Sequence, residues 1–159
     1  MLLATTHGFN FHGFNFTEFT ISQDGVELVK IEVSWFRPMA KVKIDKQTYT
    51  VYRKRFLQDV YVLESESCPL ARAQWEASTR AFEVYVYFAD RRLELRELSA
   101  WKNQFGLFES GAQIGDISPT SWWGRKVVID LPGDIPIPVQ VFLFWIVTDL
   151  WWRESPVGG

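Results

Sequence analysis

Apolar residues recur along this chain at offsets of 42 and then 44 residues, and no other feature limits the fold as much. Phe19, Tyr61 and Phe105 form one such column, and Ile21, Leu63 and Leu107 a second. Leu28, Leu70 and Ile114, then Ile31, Ala73 and Ile117, then Val42, Val84 and Val128 form three more. A turn falls at the same place each time, at Asp24-Gly25, Ser67-Cys68-Pro69 and Ser110-Gly111. A period of about 43 residues means a small supersecondary unit used three times.

Inside each unit the pattern is short apolar–polar alternation cut by turn residues, the mark of half-buried strands. Ala40-Lys41-Val42-Lys43-Ile44 and Phe82-Glu83-Val84-Tyr85-Val86-Tyr87 show it most clearly. Thr48-Tyr49-Thr50-Val51-Tyr52 and Asp59-Val60-Tyr61-Val62-Leu63 carry the β-branched and aromatic residues that strands favour. The expected strands are 8–14, 16–22, 26–34 and 39–45 in the first unit. They are 48–53, 59–64, 69–76 and 80–87 in the second, and 91–98, 103–109, 112–118 and 125–130 in the third. An antiparallel meander of about twelve strands leaves costly edges unless it closes, so the spacing predicts a barrel. A barrel of that width is not filled by its own strand side chains, and something must plug it.

The plug is the segment from Ile135 to Trp152. Asp130-Leu131-Pro132-Gly133-Asp134 breaks the strand pattern, Pro138 suits a first helical turn, and Asp134 puts a negative charge just upstream. A helix over 138–153 is apolar on every face, so it must be buried in protein or in lipid. A C-terminal membrane anchor is the competing reading, with about 20 apolar residues needed to span a bilayer. Gln140, Thr148 and Asp149 interrupt the run, and Arg153 is its sole basic flank, so the buried helix is preferred. Residues 1–159 then form a single domain that ends in a disordered tail over 154–159.

This layout resembles the tubby C-terminal-like superfamily, which includes tubby-like proteins, phospholipid scramblases and LURP-one-related proteins. The resemblance spans nearly the whole chain and rests on the repeat, on a strand ending Val128-Ile129-Asp130-Leu131-Pro132, and on Pro136-Ile137-Pro138-Val139-Gln140 opening the apolar helix. It looks most like small prokaryotic members. The signature segments of the animal tubby proteins, and the acidic calcium segment and cysteine cluster of the scramblases, are missing from the sequence. No functional residue is therefore carried over. The resemblance implies the barrel with its central helix, and an association with membranes or phosphoinositides.

Composition narrows the chemistry. Seventeen Lys and Arg against nineteen Asp and Glu give a formal net charge of −2, without the basic excess of a nucleic-acid binder. One cysteine, Cys68, excludes an internal disulfide framework. His7 and His12 sit in a duplicated pentad, His-Gly-Phe-Asn-Phe. On a strand their spacing puts them on opposite faces, with no acid or cysteine nearby to complete a metal site. No nucleophile stands beside a base and no phosphate-cradling glycine loop precedes a helix, so neither an enzyme nor a cofactor is expected.

Head-group binding is the function the residues favour. Arg53-Lys54-Arg55, Arg91-Arg92 and Arg125-Lys126 are basic clusters at strand ends, and phosphate oxygens accept well from such groups. Trp35, Trp75, Trp101, Trp122 and Trp123 also fall near strand ends, where indoles suit a bilayer interface. The bland reading is a solvated sheet face with Trp closing the barrel. The expectation is a cytoplasmic, non-catalytic domain that binds anionic phospholipid or works peripherally at a membrane. The alternative is a protein-interaction or structural module, with a protein partner or a second copy meeting exposed Phe residues between Phe9 and Phe16.

Overall fold

The computed structural model describes residues 1–7, 16–34, 39–55, 59–75, 83–99, 101–121 and 126–154. In chain order the strands are β1 (Leu2–His7), β2 (Phe16–Gln23), β3 (Val26–Ser34), β4 (Met39–Ile44), β5 (Gln47–Arg55) and β6 (Asp59–Ser65). They continue as β7 (Cys68–Trp75), β8 (Glu83–Phe88), β9 (Arg91–Ser99), β10 (Gln104–Glu109), β11 (Ala112–Pro119) and β12 (Lys126–Asp130), followed by helix α1 (Ile137–Glu154). Each strand pairs antiparallel with its sequence neighbour, and β1 closes the barrel on β12. The expected closed barrel of about twelve strands around a C-terminal helix is the fold.

Alternation does the sorting. In β4, Ala40, Val42 and Ile44 turn inward while Met39, Lys41 and Lys43 face out; in β8, Val84, Val86 and Phe88 turn inward. The columns of the repeat land on equivalent strands. Phe19, Tyr61 and Phe105, and Ile21, Leu63 and Leu107, are buried on β2, β6 and β10. Ile31, Ala73 and Ile117 are buried on β3, β7 and β11. The pairing register slips by one residue immediately after Ile21, Leu63 and Leu107, so each repeat carries its bulge at one place. Two columns need correction. Val128 lies half-exposed because Val127 and Ile129 are the inward residues of β12, and Leu70 is 41% exposed beside half-buried Leu28 and Ile114.

Other boundaries shift slightly. The strand expected at 8–14 lies outside the described residues, and its place beside β2 and β12 is taken by Leu2–His7, with Leu2 and Ala4 inward. The turn expected at Ser67-Cys68-Pro69 is Glu66-Ser67, since Cys68 and Pro69 already pair with Ser65 and Glu64. The helix gains one residue at each end, which takes Glu154 out of the expected tail; residues 155–159 lie outside the described residues.

Helix α1 runs up the middle of the barrel, roughly 27 Å long at 1.5 Å per residue. Val141, Phe142, Leu143, Phe144, Ile146 and Val147 are all buried, each contributing roughly 1.5–3 kcal/mol of burial. Phe144 meets Phe19 edge-on at 5.1 Å, Trp145 meets Tyr61 at 5.9 Å and Trp151 meets Phe105 at 6.5 Å, so the first column of the repeat is the wall against which the helix packs. The polar interruptions are satisfied inside protein. The Gln140 amide donates to the Ile135 carbonyl at 2.8 Å, and the Thr148 hydroxyl to the Trp145 carbonyl at 2.7 Å. In this structure the segment is the buried plug, and among the described residues no helix is long and apolar enough to cross a membrane.

Strand directions alternate, so the barrel has two unlike ends. The connections β2–β3, β4–β5, β6–β7, β8–β9 and β10–β11 fall at a turn end, where α1 begins. The other hairpin connections fall at a loop end, where α1 finishes.

Candidate functional site

The basic residues singled out in the sequence separate into three environments. The first is the interior. Arg53 pairs across the sheet with Tyr61 and shares its inward side, on the row that also carries Tyr49 and Val51. Its Nη1 donates to Asp149 Oδ2 at 2.7 Å and Oδ1 at 3.0 Å, while the Tyr61 hydroxyl donates to Oδ2 at 2.8 Å. The two charged side chains are 8% and 14% exposed. Arg53 therefore binds the end of the central helix and does not present a cation to solvent.

The second environment is the rim at the turn end. Arg91 donates through Nε and Nη2 to the Glu109 carboxylate, both at 2.9 Å, and through Nη1 to Asp134 at 2.9 Å. The hydrogen bond from Arg91 holds the Glu109 carboxyl below its ordinary range, and the same bond raises the guanidinium. Asp134, expected as a negative charge ahead of the helix, thus ties the lead-in to α1 onto β9.

The third environment is the outer wall from β5 to β9. Cross-strand register sets Tyr52, Val62, Arg72, Tyr87 and Arg92 in one row, and Lys54, Val60, Gln74, Tyr85 and Glu94 in the next. Hydrogen-bonded rows run oblique to the ends of a tilted barrel. Arg92, the second residue of β9 at its turn end, therefore shares a row with Tyr52 in the loop-end half of β5. The cations lie on rings: Lys54 Nζ is 5.5 Å from the Tyr52 centroid, Arg72 Cζ 5.4 Å from Tyr87, and Arg92 Cζ 4.4 Å from Tyr85. Val62, between Tyr52 and Arg72, is only 7% exposed although it faces outward.

Lys54, Arg72 and Arg92 are exposed and have no carboxylate at ion-pair distance among the described residues. Glu83 also faces outward on β8, opposite Arg96 of β9, and the other two outward acids of the wall are engaged. Glu94 pairs with Arg96, which lies over Phe108, and Glu64 accepts from the Tyr52 hydroxyl at 3.1 Å. Burial first, and then Glu64, pushes the Tyr52 phenol up and keeps it a donor.

Of the expected cations, the structure thus brings Lys54 and Arg92 onto one surface. Lys126 is exposed at the start of β12, five strands around the barrel from β5. The side chain of Arg55 and the whole of Arg125 lie outside the described residues, as do Trp35, Trp122, Trp123 and His12. Trp75 is half-buried against the core at the end of β7, and Trp101 is 81% exposed. Arg72 was not singled out in the sequence because it stands alone between Ala71 and Ala73. Its signal was the register of two hairpins, which carries it next to Tyr87 and thence to Arg92. Among the described residues no three His, Cys, Asp or Glu side chains gather as metal ligands. No protein-family model matches this chain, nor does any curated protein or solved structure.

Proposed function

We propose that this chain is a non-catalytic, tubby-like barrel domain that works peripherally at anionic phospholipid surfaces and docks through the outer wall of β5–β9. The observation that carries the reading is the set of exposed cations Lys54, Arg72 and Arg92, each laid on a tyrosine ring and without a carboxylate partner among the described residues. A guanidinium stacked on a ring keeps its N–H edge free for a phosphate oxygen. Charge is also sorted around the barrel. Residues 39–99 hold eleven Lys and Arg against nine Asp and Glu, while the rest of the chain holds six against ten. The net charge of −2 thus divides into +2 over residues 39–99 and −4 over the rest, with Arg53 of that stretch turned inward.

Flotation with vesicles tests this. The full chain should float with phosphatidylcholine–phosphatidylserine vesicles at low salt, be released at high salt, and ignore phosphatidylcholine alone. A variant carrying K54Q, R72Q and R92Q should melt like the parent and lose most of the binding. Protein that never floats, or floats equally with neutral vesicles, overturns the reading. Exposed Leu98 and Trp101, close together on the β9–β10 hairpin, favour the protein-interaction module as the second reading. Self-association without flotation would select it.

A further inference from the structure

The three repeats provide internal controls for one another at the position just before the buried column Ile31, Ala73 and Ile117. That position faces outward on the third strand of each repeat, and it holds Lys30, Arg72 and Asp116. Lys30 lies between two glutamates, 3.9 Å from Glu18 and 4.0 Å from Glu27. Asp116 has the opposite charge and accepts from the Ser118 hydroxyl at 3.0 Å and the Gln104 amide at 3.3 Å. Arg72 is exposed, with no carboxylate at ion-pair distance among the described residues.

Its neighbours across β8 set Arg72 apart further. Arg72 pairs with Tyr87 from the β7 side and lies over that ring. Arg92 pairs with the same Tyr87 from the β9 side and leans diagonally onto Tyr85, with Cζ 4.4 Å from the ring centroid. The two guanidinium groups therefore converge from opposite flanks above one strand. Tyr85 and Tyr87 face the same way with one residue between them, roughly 7 Å apart at 3.4 Å per residue. One tetrahedral phosphate bridges such a span when each side donates to its oxygens at about 2.8 Å. Stacking on the rings restrains the two side chains and leaves their N–H edges open. Two carboxylates border the place. Glu94 lies beside Tyr85 and is drawn to Arg96, and Glu83 lies two residues along β8 from Tyr85, opposite Arg96. Neither is at ion-pair distance from Arg72 or Arg92.

We propose that Arg72 and Arg92, set over Tyr87 and Tyr85, form a discrete site for one phosphomonoester group. Such a group is a dianion near neutral pH and presents three peripheral oxygens, so it can occupy both guanidinium forks at once. A phosphodiester or a carboxylate carries one negative charge and presents two such oxygens, enough for one fork and not for both. The site deepens the lipid-surface reading and rests on it for a lipid source of the phosphate. The wall as a whole supplies attraction to any anionic surface, and the paired arginines select head groups that end in a phosphomonoester. A soluble phosphomonoester shares that chemistry, and the test separates the two sources.

Flotation of the full chain compares phosphatidylcholine vesicles doped with phosphatidic acid against vesicles doped with phosphatidylserine to the same surface charge. Binding to the phosphatidic acid vesicles should be about tenfold tighter, the worth of one further charge-assisted hydrogen bond. A variant carrying R72K and R92K keeps both charges and removes both forks. It should melt like the parent, float with phosphatidylserine as the parent does, and lose the preference. A preference that survives in the lysine variant overturns the site. Glycerol phosphate in solution gives the second arm, read by NMR at the Arg72 and Arg92 Nε–H groups. Saturable shifts there support the site. Shifts without a vesicle preference assign it to a soluble phosphomonoester, and if nothing floats the lipid-surface reading falls while the site stands. Equal flotation at matched charge with no shift overturns the site and leaves the lipid-surface reading in place.

Discussion

The two ends of this barrel are held by different physics. At the turn end every strand-to-strand connection is a pair of residues: Asp24-Gly25, Asp45-Lys46, Glu66-Ser67, Ala89-Asp90 and Ser110-Gly111. Each contains at least one residue with positive φ, the backbone setting that lets a two-residue hairpin match the twist of its strands. That end is specified locally, by residues that are neighbours in sequence. At the loop end the connections are mostly longer, and the helix is held by Asp149, which lies 96 residues from Arg53 and 88 from Tyr61. There the specification is long-range and electrostatic.

The difference matters because the barrel is built from repeats. Thr6, Arg53 and Glu97 occupy the same place in the three units, opposite Phe19, Tyr61 and Phe105. Three such walls present similar apolar faces to a helix that is itself apolar all round. Packing alone distinguishes its rotational settings poorly. Arg53, paired with Asp149, gives one of the three settings a partner the others lack, and a buried ion pair is best suited to such a registering role.

The largest break in the comparison removes the helix. Deleting residues 138–153 leaves the inward residues of all twelve strands around a void, and the product should show no cooperative melting transition. A soluble truncation that melts cooperatively would show that the wall stands without its plug. Next comes the lock at the loop end. Asp149→Leu or Arg53→Met alone strands a buried charge and should cost about 3–5 kcal/mol in denaturant unfolding. The double variant should recover much of that loss, because no charge is left unpaired. A double variant as unstable as the sum of the singles would mean that the pair stabilises by packing and not by charge satisfaction.

A smaller effect tests the turn end. The first and third repeats place glycine second in the turn, at Gly25 with φ +80° and Gly111 with φ +82°, while the middle repeat has Ser67 at φ +66°. Ser67→Gly removes a left-handed side-chain penalty and should raise stability by roughly 0.5–1 kcal/mol. Lys126→Gln at the loop rim, by contrast, should leave the melting temperature unchanged.

How much of this was legible follows from the same division. Period-two alternation and the turn residues are local, so most strand boundaries could be read to within two or three residues, and the buried helix followed from closure. β1 was missed because the pentads Gly8 to Phe16 alternate as a strand would, while Leu2–His7 offers only Leu2 and Ala4 as inward residues. Arg53 read as part of a surface cluster with Lys54 and Arg55, yet the same alternation puts it in the row of Tyr49 and Val51. What could not be read was the height at which Asp149 would meet it. Arg72 was invisible for a related reason: a lone arginine acquires meaning only from the strand beside it.

The smallest expected effect lies at the turn-end rim, where Arg91 ties β9 to Glu109 of β10 and to Asp134. The hydrogen bond from Arg91 is the main cause that lowers the Glu109 carboxyl from its ordinary value of 4.5. A folded-state value below the unfolded one stabilises the fold above the ordinary carboxylate range, and the contribution is lost as pH falls through the lowered value. The ion pair is solvent-screened, so it tunes the rim and does not hold the barrel. An NMR titration of the Glu109 carboxyl should find its midpoint lower in the parent than in Arg91→Gln, with the gap closing in high salt. Equal midpoints would mean that Arg91 does not hold the Glu109 carboxylate, leaving β9 and β10 joined at this rim by their backbone pairing.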